Sequence, residues 1–176
     1  MRTVRTKVYT FSELSKEAQQ KAVESNAANA EYFWSDDAIK SLAKFAEHFG
    51  AKLSRYEIDW TGSYSYSFAA FDTDGIEFTQ DELKGRIESM GTYNSETLRG
   101  YGECKFTGYC ADEDAADGAR MAYFKGERDI NTILQAGFEK WLESGKSDYE
   151  GQLSFEQYAE HCEANNLEFT ADGKLF

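Results

Sequence analysis

Residues 146–158 read KSDYEGQLSFEQY. Asp148, Glu150, Gly151 and Leu153 stand at the third, fifth, sixth and eighth places of a calcium-binding helix–loop–helix, and helical patterning flanks the stretch on both sides. Such a loop supplies oxygen ligands from its first and twelfth places above all. Here those places hold Lys146, a cation, and Gln157, which cannot give a charged bidentate ligand. The stretch therefore reads as a turn between two helices. Gly151 reverses the chain, and Ser154 caps a last helix whose Phe155, Tyr158, Ala159 and Cys162 face a core. The helix before it runs from Asp129, with Ile130, Ile133, Leu134, Phe138, Trp141 and Leu142 along one face, and is expected to stop at Gly145. A similar pattern, DTDGIEFTQDEL at 72–83, has Ala70 at its first place and Glu77 where a hydrophobic residue belongs, and reads as a turn at Asp72, Asp74 and Gly75.

Working outward, TVRTKVYT at 3–10 alternates as a strand. Ser15 caps a helix carrying Ala18, Ala22 and Val23 inward. A helix over 31–49 has Phe33, Ile39, Leu42, Phe45, Ala46 and Phe49 as its apolar stripe and Gly50 as its stop. Strands follow at 52–60 and 63–72 around a TGS turn at 61–63; in the second, Tyr64, Tyr66 and Phe68 share a face. Thr79 caps a helix over 79–90, and a loop over 91–97 leads to a strand over 100–110. The acidic segment ADEDAADGA precedes MAYFKG, read as a short strand. LEFTADGKLF closes the chain with a strand and a turn at Asp172-Gly173. The pattern predicts an α+β fold over residues 1–176: one acidic domain, an antiparallel sheet with four to five helices packed against it.

The chain holds 19 basic and 32 acidic side chains, a formal charge of −13. Charges balance over positions 1–60, so the whole excess falls in 61–176. Such a surface repels nucleic-acid phosphates and anionic lipid, which excludes direct nucleic-acid binding and a membrane surface, and it attracts basic surfaces. It also serves plain solubility. Cys104, Cys110 and Cys162 are an odd number without metal or disulfide spacing, which predicts free thiols and a cytoplasmic setting. No apolar run is long enough for a membrane span. Proline is absent, where average usage would give roughly nine, so turns rest on Gly, Asn, Asp and Ser.

No phosphate loop, nucleophile elbow or dinucleotide fingerprint is present. His48 and His161 lack the spacing of metal ligands; His161 neighbours Cys162, but a Cys–His pair must form in space. Asp112, Glu113, Asp114 and Asp117 are the densest acidic cluster, and Asp72, Asp74 and Glu77 form another. They suit a solvated face, an oxygen-ligand cation site, or an interface for a basic partner. No cofactor is expected.

Two further stretches carry a resemblance. Phe11, Glu13, Leu14, Ser15, Glu17, Ala18, Lys21 and Ala22 match an opening phrase F-x-E-L-S-x-E-A-x-x-K-A, and Glu168, Phe169, Thr170, Asp172 and Gly173 match a closing E-F-T-x-D-G. In this the chain resembles a group of uncharacterised phage and prophage proteins, some labelled as antitoxins of toxin–antitoxin pairs. WTGSYSYSFAAF at 60–71 looks like the group's central aromatic strand, without its glycine- and aspartate-rich phrase. The resemblance implies a phage setting and no catalytic residues. Together with the charge it gives an expectation: a non-enzymatic binding protein, monomer or homodimer, that inhibits or modulates a host protein with a basic surface. It would act in the host cytoplasm as a counter-defence factor and partly as a nucleic-acid mimic. Asp112, Glu113, Asp114 and Asp117 form its interface, with Asp72, Asp74 and Glu77 as a further patch. The alternatives are an antitoxin, a self-assembling phage protein, and a small enzyme with a carboxylate or Cys–His site.

Overall fold

The computed structural model describes residues 6–28, 30–61, 66–91, 93–94, 99–100 and 112–176. The class is α+β. The strands pair two by two, each pair antiparallel: β1 (Tyr9–Thr10) with β6 (Glu168–Phe169), β2 (Lys52–Glu57) with β3 (Phe68–Asp72), and β4 (Tyr93–Asn94) with β5 (Arg99–Gly100). Among the described residues six helices accompany them, where four to five are expected: α1 (Lys16–Ala27), α2 (Ser35–His48), α3 (Gln80–Ser89), α4 (Asp112–Phe124), α5 (Ile130–Gln152) and α6 (Phe155–Ala164). Where a single sheet is expected, the described strands form separate pairs. The chain divides into two compact units, 1–31 with 148–176 and 32–147.

The first unit is made by the two ends of the chain. Tyr9 pairs with Phe169 and Thr10 with Glu168. Phe11, in a single 3₁₀ turn over Phe11–Glu13, sits at the centre of an aromatic cluster, 5.5 Å from Phe155, 5.6 Å from Tyr158 and 5.9 Å from Phe169. Leu14, Ala18, Ala22, Val23 and Cys162 complete the core. Short polar side chains set the ends of each element. The Glu13 carboxylate accepts from the Thr10 amide at 2.9 Å, Ser15 Oγ accepts from the Ala18 amide, and Ser154 Oγ accepts from the Gln157 amide. Gly173 has a left-handed backbone, and a Cβ there would run into the Ala18 carbonyl, so only glycine lets the closing turn lie on α1.

These are the residues of the opening and closing phrases. Phe11, Leu14, Ala18, Ala22 and Phe169 are core; Glu13 and Ser15 are caps; Glu17 and Lys21 form an exposed ion pair; Thr170 Oγ1 donates to Asp172, and Gly173 is the close approach. Both phrases encode how the termini fold together.

In the second unit, α2 brings Leu42, Phe45, Ala46 and Phe49 inward, and Gly50, with positive φ, ends it as expected. α4 contributes Ala115, Ala116, Ala119 and Ala122, and α5 contributes Ile133, Leu134, Phe138 and Trp141. The small residues have a geometric purpose. A Cβ on Gly118 would strike the Ala136 carbonyl, so α4 and α5 meet almost backbone to backbone, and one on Gly137 would strike the Phe45 ring, through which α2 packs onto α5. Gln135 of α5 donates to the Ala69 carbonyl of β3 at 2.8 Å. Trp60 packs on Tyr32 and Trp141, and its indole N–H donates to Ser35 Oγ at 3.0 Å.

Several expectations need correction. The first strand is two residues rather than eight among those described, because its partner β6 is equally short. Phe33 precedes α2 and is 79 % exposed; Tyr32 takes the buried place. MAYFKG is not a strand: Met121–Phe124 complete α4, whose inward alanines continue the helical spacing through it. The helix from Ile130 does not stop at Gly145 but runs on to Gln152, because Tyr149 is buried and its hydroxyl donates to the Ala30 carbonyl. Within the expected loop over 91–97, β4 forms. Cys104, Cys110, the turn at 62–63, Tyr64 and nearly all of the strand expected over 100–110 lie outside the described residues.

Candidate functional site

The extension of α5 changes the reason why 146–158 is no calcium loop. Residues 146–152 are helical, and the chain turns only around Leu153, with the Ser154 amide donating to the Gly151 carbonyl. A helix commits its carbonyls to its own ladder and cannot wrap them around a cation. At 72–76 a tight turn is present, as the sequence predicts. Gly75 has positive φ, the Ile76 amide donates to the Thr73 carbonyl, and Asp72 Oδ1 accepts from the Asp74 amide. Among the described residues, no three His, Cys, Asp or Glu side chains gather as a metal site would require.

One acidic cluster opens a helix, and the other closes a strand and continues in the turn that leads to α3. Asp112 opens α4, and Glu113 and Asp114 follow in its first turn, where their carboxylates oppose the positive end of the helix dipole. Glu113 is exposed and Asp114 half-buried. Asp72, Asp74 and Glu77 are exposed just ahead of α3, whose first turn adds Asp81 and Glu82. Thr79 caps that helix in a reciprocal box with Glu82, and the Thr79 hydroxyl and amide hold the Glu82 carboxyl below its ordinary range. No ion pair reaches Glu113, Asp114, Asp72, Asp74 or Glu77 among the described residues.

Asp117 differs. The sequence groups it with its neighbours as an exposed carboxylate, yet its side chain is only 17 % exposed and lies 2.7 Å from the guanidinium of Arg120, itself 2 % exposed. Arg120 also donates to the Gly91 carbonyl at 3.3 Å. Residues three and four apart on a helix are neighbours, so a carboxylate one turn before an inward arginine is committed to it. Asp117 is part of the scaffold beneath the acidic turn.

The Cys–His alternative fares poorly at Cys162. Cys162 and His161 are consecutive on α6 and diverge by roughly a hundred degrees around the helix. Cys162 is buried, while His161 is exposed, stacks on Tyr158 and meets Asn165 Nδ2 at 3.2 Å. Burial raises the Cys162 thiol, although the hydrogen bond from Tyr158 pulls it partly back; Tyr158 is pushed up to about 12, by burial first and then by Cys162. The thiol is therefore kept protonated at neutral pH, the opposite of an activated nucleophile. His48 bridges two helices: its Nε2 lies 2.8 Å from the Arg86 carbonyl, and Arg86 donates to the His48 carbonyl at 2.7 Å.

Two groups with folded pKa above their unfolded values contribute stability that is full below the ordinary thiol range and is lost as pH rises through the folded values. The first unit should accordingly weaken on the alkaline side and hold near neutrality. Thiol-reactive dye at mildly alkaline pH should leave Cys162 unmodified in the native chain and label it in urea, read by mass spectrometry of its peptide. Rapid native labelling of Cys162 would contradict this burial.

The described residues also form concave features. One, of about 260 Å³ in the first unit, is bordered by Thr10, Ser12, Cys162, Glu163 and Asn166. Another is an open groove of about 460 Å³ between α4 and α5 in the second unit. Placing Met121 on a strand hides this groove; the helical spacing of Asp114, Gly118, Met121 and Lys125 is the signal that reveals it. Equally easy to miss are Glu156, Glu160 and Glu163, which line one exposed face of α6 at helical spacing. Comparison of the chain with protein-family models, curated proteins and solved structures finds no match.

Proposed function

We propose that the protein is a non-enzymatic acidic binding module that engages a host protein through that protein's basic, nucleic-acid-binding surface. The observation that supports this most is the set of carboxylates without ion-pair partners among the described residues: Glu113 and Asp114 at the start of α4, and Asp72, Asp74 and Glu77 ahead of α3. Both sets belong to the second unit, and α3 packs against α4. Carboxylates left without cations keep their field available to an approaching partner, which speeds encounter and selects basic surfaces. Asp112 opens the same helix; Asp117 does not belong to the set, since Arg120 already neutralises it. A phage setting and a counter-defence role rest on the resemblance of the terminal phrases, as does the antitoxin alternative.

The test is capture of host proteins by the tagged chain at low and high salt, with duplex DNA as competitor. The reading predicts a partner that DNA displaces and that salt releases, because exposed charges are screened over about 8–10 Å near physiological ionic strength. Changing Glu113, Asp114, Asp72, Asp74 and Glu77 to their amides should slow association at least about tenfold while leaving thermal stability nearly unchanged. A captured partner whose association rate is insensitive both to salt and to these changes would leave the carboxylates with a solubilising role alone.

A further inference from the structure

Gly118, Ala122 and Ala136 floor the groove between α4 and α5, and Met121 stands at its edge. Its edges carry Glu127, Glu139 and Glu143 against Lys125 and Lys140. Lys140 Nζ is held by the Glu143 carboxylate. Asp114 lies one turn before Gly118 on the same face of α4. We propose that this groove is the docking site for an amphipathic helix with basic flanks, presented by the partner protein. The proposal rests on the acidic-module reading and gives it an apolar anchor.

Three observations carry it. The floor is built from small residues, and Gly118 lets α4 close directly onto the Ala136 backbone beneath the groove. The resulting trough has the shape that the ridge of a third helix enters. Met121 is 37 % exposed at its edge, a long unbranched side chain suited to repacking against an incoming apolar ridge. The edge charges are three carboxylates to two ammonium groups, and a −13 chain surrounds them, so the favoured flanks on the occupant are lysine and arginine. An acidic helix would meet repulsion at the same edges.

The test uses the full chain and two synthetic amphipathic peptides, one of leucine and lysine and one with glutamate in place of lysine. Fluorescence anisotropy gives affinity, and amide chemical shifts give the location. The leucine–lysine peptide should bind at least about tenfold more tightly than its acidic counterpart and shift amides of α4 and α5 around Met121 and Ala136. Met121→Gln, and separately Glu139→Lys with Glu143→Lys, should each weaken it about tenfold or more, with circular dichroism unchanged. Some binding should survive half-molar salt through the apolar floor. Binding that shifts other surfaces, or that Met121→Gln leaves intact, overturns the groove while sparing the acidic-module reading. Equal binding of both peptides overturns the charge argument of both, and binding of neither peptide overturns the groove.

Discussion

Phe169→Ala is expected to cost about 3–5 kcal/mol, the usual range for truncating a buried phenylalanine. Phe169 is fully buried and takes part in everything that closes the first unit. Its backbone pairs with Tyr9, its ring packs on Phe11 at 5.9 Å, and a further bridge joins it to Leu175. The alanine variant removes the ring from a cluster built of four aromatic side chains, which cannot collapse into the space without leaving their own edge contacts. Chemical denaturation should show the loss in the midpoint, and hydrogen exchange should lose protection first in α1 and α6. Leu175→Ala is the control, because that side chain is exposed. Its removal should change stability by no more than about 0.5 kcal/mol. A Phe169→Ala midpoint within experimental error of the parent would mean that the aromatic cluster does not hold the termini together.

Parts of this fold are local and were legible for that reason. Ser15, Thr79 and Ser154 cap helices through bonds to an amide three residues on, and Gly50 stops a helix by its own conformation. Turn chemistry at Asp72–Gly75 is equally short-range. What could not be read depends on partners far along the chain. α5 runs past Gly145 because Tyr149 finds Ala30, and Gly151 causes no break because it does not take the left-handed backbone that ends a helix. MAYFKG looks strand-like in isolation, but α4 continues through it because Ala115, Ala119 and Ala122 are buried at helical spacing and Gly118 lies on the α5 backbone. Pairing of β1 with β6 spans nearly the whole sequence, so neither strand's length could be judged from its own residues. The same limit applies to the acidic cluster: its four carboxylates look equivalent until Arg120 turns inward.

That distinction gives the second large effect. Asp117→Ala is expected to destabilise the protein by about 3 kcal/mol, the lower end for breaking a buried ion pair. The lower end applies because Asp117 retains some contact with water and Arg120 keeps its bond to Gly91. Glu113→Gln with Asp114→Asn should change stability by less than about 0.5 kcal/mol, as surface substitutions usually do. Neither of those carboxylates has an ion pair to lose among the described residues. The two variants therefore separate scaffold from surface within one helix. They also decide how the function must be tested: neutralising all four acidic residues together would weaken binding by loosening α4, and the loss would be mistaken for an interface effect. Arg120→Met combined with Asp117→Leu removes both charges at once and should recover much of the stability lost by Asp117→Ala, because an apolar pair of similar size carries no desolvation cost. Urea midpoints of the three variants check the order. If Asp117→Ala is as stable as the parent, its contact with Arg120 contributes nothing to the fold, and Asp117 returns to the set of carboxylates open to a partner.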